Sequence, residues 1–134
     1  MLISSISGVD NALIKVKEST DNVTTSGTTT DFSSFFPAHC IPLSITVTVT
    51  TAIGNNGYIT DVGSYGDTDL FFDGLGDGRL EEEDDTVTFG QWWPVATARS
   101  NYMAAGATLR LTHANTPDAG VVRIRMVYID GANF

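Results

Sequence analysis

Leu43-Ser44-Ile45-Thr46-Val47-Thr48-Val49-Thr50 alternates without a fault between aliphatic and hydroxyl side chains. Successive side chains of an extended backbone point to opposite faces. Leu43, Ile45, Val47 and Val49 are therefore expected on one side and Ser44, Thr46, Thr48 and Thr50 on the other. β-Branched residues in this pattern predict a strand with one buried face and one wet face. Antiparallel sheets expose a face in this way; parallel sheets rarely do.

The same pattern recurs near the other end of the chain. Ala107, Leu109 and Leu111 are expected inward, with Thr108, Arg110 and Thr112 outward. Beyond the turn Asn115–Gly120, Val122, Ile124, Met126 and Tyr128 are expected inward, with Val121, Arg123 and Arg125 outward. Pro117, Asp118 and Gly120 suit a turn for dihedral reasons, and the two strands are predicted to form a hairpin with a long loop. Further strands are predicted at Ala12–Lys17, Val23–Thr30, Tyr58–Val62, Asp69–Phe72 and Thr86–Gln91. Ser19 to Ser34 holds eleven Ser, Thr or Gly residues, which suits a linker, an edge strand or an extended arm within residues 1–36. No stretch has helical periodicity, and Ser100–Ala105 has room for one turn at most. About eight short strands with frequent turn signals predict an all-β, antiparallel β-sandwich wound as a jelly roll, in one domain spanning 1–134.

Charge is distributed very unevenly. Between Asp61 and Asp85 stand ten acids and one base, Arg79, so this stretch holds the whole net charge of −9. The remaining six acids and six bases cancel. Such acidity opposes binding to nucleic acid, which needs clustered Lys and Arg, and docking on anionic membrane lipid. Cys40 is the single cysteine, so no intrachain disulfide is possible and stability must come from the core. Met1–Val16 has no basic and apolar leader pattern, and no apolar run is long enough to span a membrane as a helix, so a soluble chain made in a cytosol is expected.

The candidate chemistry is thin. The glycines and acids of residues 66–78 suggest a calcium loop, but from Asp67 the fifth and sixth loop positions are Phe71 and Phe72, which breaks the EF-hand pattern. No cofactor is therefore expected. The run Glu81-Glu82-Glu83-Asp84-Asp85 repels itself and must stay largely solvated. It either protects the fold against edge pairing or docks on a basic surface, for which Arg110, Arg123 and Arg125 on neighbouring strands are the candidates. Adjacent residues of a strand face opposite sides, so only one of Trp92 and Trp93 can enter a given core. The other is a candidate interface anchor, or a platform for stacking sugars. His39, Cys40 and His113 lack zinc-ligand spacing. Gly63-Ser64-Tyr65-Gly66 falls one residue short of a nucleophile elbow, with no helix after it. No enzyme is expected.

Several segments resemble a recurrent domain of tailed-phage virion proteins. The span Pro37-Ala38-His39-Cys40-Ile41-Pro42 leading into Leu43–Gly54 is similar to a proline-led loop feeding a Val/Thr strand in that group. Val62-Gly63, then Gly66–Phe71, Leu109–Thr112 and Gly120–Tyr128 follow the same pattern. The resemblance covers most of Thr28 to Tyr128. It departs at Glu81–Asp85 and Trp92-Trp93, and in the absence of a long N-terminal helix or fibre shaft. It implies a non-enzymatic capsid decoration (cement) protein on the capsid surface of the virion, bound to the major capsid protein or another virion protein and forming a homotrimer. The alternative it implies is a receptor- or glycan-binding module of a tail fibre. A free-standing carbohydrate-binding domain is a third reading.

Overall fold

The computed structural model describes residues 14–25, 27–89 and 102–131. Eight strands form among them: β1 (Ile14–Asn22), β2 (Thr29–Phe36), β3 (Cys40–Thr51), β4 (Tyr58–Ser64), β5 (Asp67–Phe72), β6 (Thr86–Phe89), β7 (Ala107–Ala114) and β8 (Val121–Asp130). No α-helix is present among these residues. The strands make two antiparallel four-stranded sheets, ordered β1-β8-β3-β6 and β2-β7-β4-β5. The order is that of one long hairpin folded double. β1 pairs with β8, β2 with β7, β3 with β6 and β4 with β5, and these pairs alternate between the sheets. That is the strand order of a jelly roll.

β3 behaves as its alternation predicts: Ile45, Val47 and Val49 are fully buried, with the threonines between them partly exposed. Leu43 departs from the pattern. A register shift between Pro42 and Ser44 interrupts the β3–β8 ladder, and with that extra residue Pro42 is buried while Leu43 is only half-buried. Leu109 and Leu111 of β7 and Val122, Ile124, Met126 and Tyr128 of β8 face the core from opposite sheets.

Two expectations are corrected. β7 and β8 are not a hairpin: β7 lies between β2 and β4, and β8 lies between β1 and β3. A two-residue turn would have forced pairing, whereas residues 115–120 are enough to cross the roughly 10 Å between packed sheets. The crossing is pinned to the neighbouring 52–57 connection by Asn55 Nδ2 donating to Thr116 O (2.6 Å) and Gly54 N donating to Ala119 O (2.9 Å). Nor is Val23–Thr30 a strand. Val23 is buried beneath Gly120, to whose carbonyl its N–H donates (3.0 Å), and the Thr30 hydroxyl accepts from Thr24 N (2.8 Å). A hydroxyl that captures a backbone donor competes with the ladder, so pairing resumes only at Thr29. Of the expected arm, residues 14–36 supply the two outer strands β1 and β2 with the connection between them, and residues 1–13 lie outside the described residues.

One apolar cluster joins the sheets. Its aromatic part, Phe32, Phe35, Phe36 and Phe71, packs ring to ring at centroid distances of 5.6–6.4 Å. Phe35 and Phe36 are consecutive and both buried, which regular alternation forbids. The ladder shifts register between Phe32 and Phe36, and Ser34 adopts φ 56°, turning the backbone so that both rings enter.

Candidate interaction surfaces

The connections 23–28, 52–57, 73–85 and 115–120 gather at one end of the sandwich. The acidic segment 73–85 belongs there, carrying the chain from β5 in one sheet to β6 in the other. It is firmly anchored. Leu75 and Leu80 are 2% and 0% exposed. Leu75 N donates to Thr60 O, Ile59 N to Leu80 O, Ile53 N to Glu81 O, and Asp84 N and Val49 N close a reciprocal pair with Val49 O and Asp85 O.

Two of the acids serve the segment's own backbone. Asp85 Oδ2 accepts from Glu81 N (3.1 Å) and Glu82 N (2.8 Å), and Asp61 Oδ1 accepts from Gly74 N (2.9 Å). The others repel one another: a hydrogen bond with Asp77 holds the Glu81 carboxyl above its ordinary pKa, and Asp69 does the same to Asp67. Glu82, Glu83 and Asp84 project into solvent. Among the described residues no three Asp, Glu, His or Cys side chains converge as they would around a metal ion.

The three arginines do not share a surface. Arg110 stands on β7, and Arg123 and Arg125 on β8, so they lie on the outer faces of different sheets. The expectation of neighbouring strands rested on the hairpin that the 115–120 crossing replaces. Arg110 is committed within its own sheet. Its guanidinium grips Asp31 with two bonds (Nε–Oδ1 2.7 Å, Nη2–Oδ2 2.9 Å) and stacks 4.2 Å over the exposed Tyr65 ring. The hydrogen bond to Arg110 lowers the pKa of Asp31, and Asp31 in turn raises that of Arg110.

Arg123 and Arg125 are exposed and form no ion pair among the described residues. Cross-strand registers place them in rows over the outer face of the β1-β8-β3-β6 sheet. One row reads Thr20, Arg123, Thr48, Thr86 and the next Glu18, Arg125, Thr46, Thr88. The threonines pair hydroxyl to hydroxyl, Thr46 with Thr88 (2.8 Å) and Thr48 with Thr86 (3.1 Å). Farther along the face, Val16 meets Val127 and Ile14 meets Ile129. Ile14 and Val16 are 56% and 52% exposed. This aliphatic strip was missed in the sequence, although the alternation Ile14-Lys15-Val16-Lys17 carries it. The lysines of that strand take the inward side: Lys15 Nζ reaches Asp130 Oδ2 (2.7 Å), and Lys17 Nζ donates to Ser34 O (2.9 Å) beside the Phe35 ring.

The remaining candidates have structural duties. Ser64 Oγ accepts from Asp67 N (3.2 Å) in the tight β4–β5 turn. Cys40 is fully buried, and burial pushes its thiol up to about 11, so it is a poor nucleophile. His39, at φ 62°, turns the chain into β3, and its Nδ1 lies 2.7 Å from Tyr102 Oη. His113 is buried with Nε2 3.1 Å from Thr30 Oγ1. Trp92 and Trp93 lie outside the described residues.

With this geometry in hand, solved structures give a comparison. A chain of the cyanophage Pam1 capsid asymmetric unit superposes with a TM-score of 0.57 at 19% identity, covering 87% of this chain and 84% of that one. A chain of the capsid of Ralstonia phage GP4 gives 0.51 at 14% identity, covering 88% and 86%. The shared property is the fold. No protein-family model matches the chain, and no curated protein matches it.

Proposed function

We propose that this chain is a non-enzymatic structural component of a phage particle, a decoration (cement) protein that sits on the capsid surface and stabilises the shell. The observation that carries the reading is the likeness of its sandwich to chains of two phage capsid structures, with more than four-fifths of each chain superposed. The surface chemistry supports it. The buried thiol, the turn-bound Ser64 and the separated histidines offer no nucleophile with a base, whereas the outer face of one sheet presents unpaired cations, a hydroxyl carpet and exposed aliphatic side chains. Surfaces of that composition act by complementarity to a partner.

The mechanism is clamping: burial of apolar and polar area across the seams between shell subunits adds binding free energy to the assembled state and none to the dissociated one. The test is to add purified protein to shells that lack it and count bound copies by quantitative mass spectrometry. Binding at a large fixed copy number, with shells that survive higher temperatures, is expected. Few copies per particle, together with binding to cells or glycans, would favour the tail-fibre module instead.

A further inference from the structure

We infer that the outer face of the β1-β8-β3-β6 sheet is a self-association surface, on which the acidic turn of a second copy of this chain covers Arg123 and Arg125. The inference concerns the purified chain and stands apart from the virion reading. Two observations lead to it. The first is the pair of exposed arginines, which form no ion pair among the described residues although Glu18 stands across the ladder from Arg125. The second is the acidic turn Glu82–Asp84, whose backbone is tied to Val49 of the same sheet.

Their arrangement makes the face self-complementary. The arginines stand on β8, on one side of the central strand β3, and the acidic turn enters β6 on the other side. Thr48 faces Arg123 across one ladder and Thr86 across the other, two residues from Asp84. The arginines and the acidic turn are therefore separated by two strand spacings, about 10 Å. A charge cannot close that gap along a rigid sheet. A two-fold axis running along β3 between two apposed faces closes it twice, setting each arginine pair over the partner's acids. The threonine side chains between them are short, so they permit the approach.

Edge-to-edge pairing is the other route by which sandwiches associate, and this chain guards against it. β1, an outer strand, turns Lys15 and Lys17 inward, and β6, the opposite edge, is four residues long. The net charge of −9 per copy opposes long-range approach. At 0.15 M salt that repulsion is screened beyond about 8 Å, while groups in contact still attract.

Sedimentation equilibrium at 0.15 M salt tests this. The wild-type chain is expected as a reversible dimer, in place of the trimer that the phage resemblance implies. Arg123→Glu with Arg125→Glu should weaken the dimer at least about tenfold. Glu82→Lys with Glu83→Lys and Asp84→Lys should weaken it alike, and combining the two sets should restore it. All these positions are exposed, and far-UV circular dichroism with melting checks that each variant is folded. A monomer at every concentration, a trimer indifferent to the arginine reversals, or a combined variant as weak as its parents would overturn the inference.

Discussion

At the residue scale, His113 is the side chain with most to lose from protonation. Its ring is buried between Thr30 and the start of the 115–120 crossing, and burial depresses its pKa below the ordinary 6.5, outweighing the opposing pull of the Asn115 backbone. A histidine held neutral in the folded state binds its proton more readily once the chain unfolds. Its contribution to stability is therefore complete above pH 6.5 and is lost as pH falls from there through the folded-state value. Urea midpoints should drop over that interval, and His113→Gln should flatten the dependence there; an unchanged slope in the variant would refute the assignment. Asp31 behaves oppositely in magnitude. Its bond to Arg110 is partly exposed, so Asp31→Asn should cost no more than about 1 kcal/mol in denaturant titrations, despite its ideal fork geometry.

At the scale of elements, the acidic segment shows how a highly charged stretch is held in a defined shape. Leu75, Leu80 and five backbone hydrogen bonds, with the Asp61 and Asp85 carboxylates accepting from its backbone, hold it against repulsion among the other acids. Leu80→Ala should therefore cost about 2–5 kcal/mol, as for other fully buried leucines, and should speed amide exchange between residues 73 and 85 more than in β3. Raising salt from 0.02 to 0.5 M should lift the melting temperature by screening the acid run. Acidification relieves the same repulsion, because Asp67 and Glu81 hold their protons at higher pH folded than unfolded. That gain appears as pH falls through the carboxylate range, opposite in sign to the loss at His113.

Legibility in the sequence divides along the same line. β3, β7 and β8 could be read from period-two alternation, because burial on one face writes itself into every second residue. The partnership of β7 and β8 could not, since alternation states which face is buried and not which strand lies alongside. The Phe35–Phe36 pair and Leu43 escaped because bulges shift the phase locally. The arginines were identified correctly as outward-facing, but their grouping failed with the hairpin on which it depended.

At the scale of the whole molecule, the rolled double hairpin makes the first described strand pair with the last. Ile14 faces Ile129, and β8 is the strand that joins β1 to β3. Closing that pairing brings together residues more than a hundred positions apart, and the chain must lose most of its loop entropy before the contacts reward it. Local structure does little to shorten the search, because among the described residues there is no α-helix and one tight hairpin, β4–β5, to form early. Refolding followed by stopped-flow far-UV circular dichroism should therefore fall in the range of roughly milliseconds to seconds typical of β-sandwiches. Shortening Ile124 to Ala removes packing from the middle of β8, which forms only when the roll closes. If closure follows the rate-limiting step, the variant should unfold faster while folding at nearly the wild-type rate. If folding slows in proportion to the lost stability, the β8 contacts are already made in the transition state, and the roll closes as a unit instead of being zipped from the β4–β5 end.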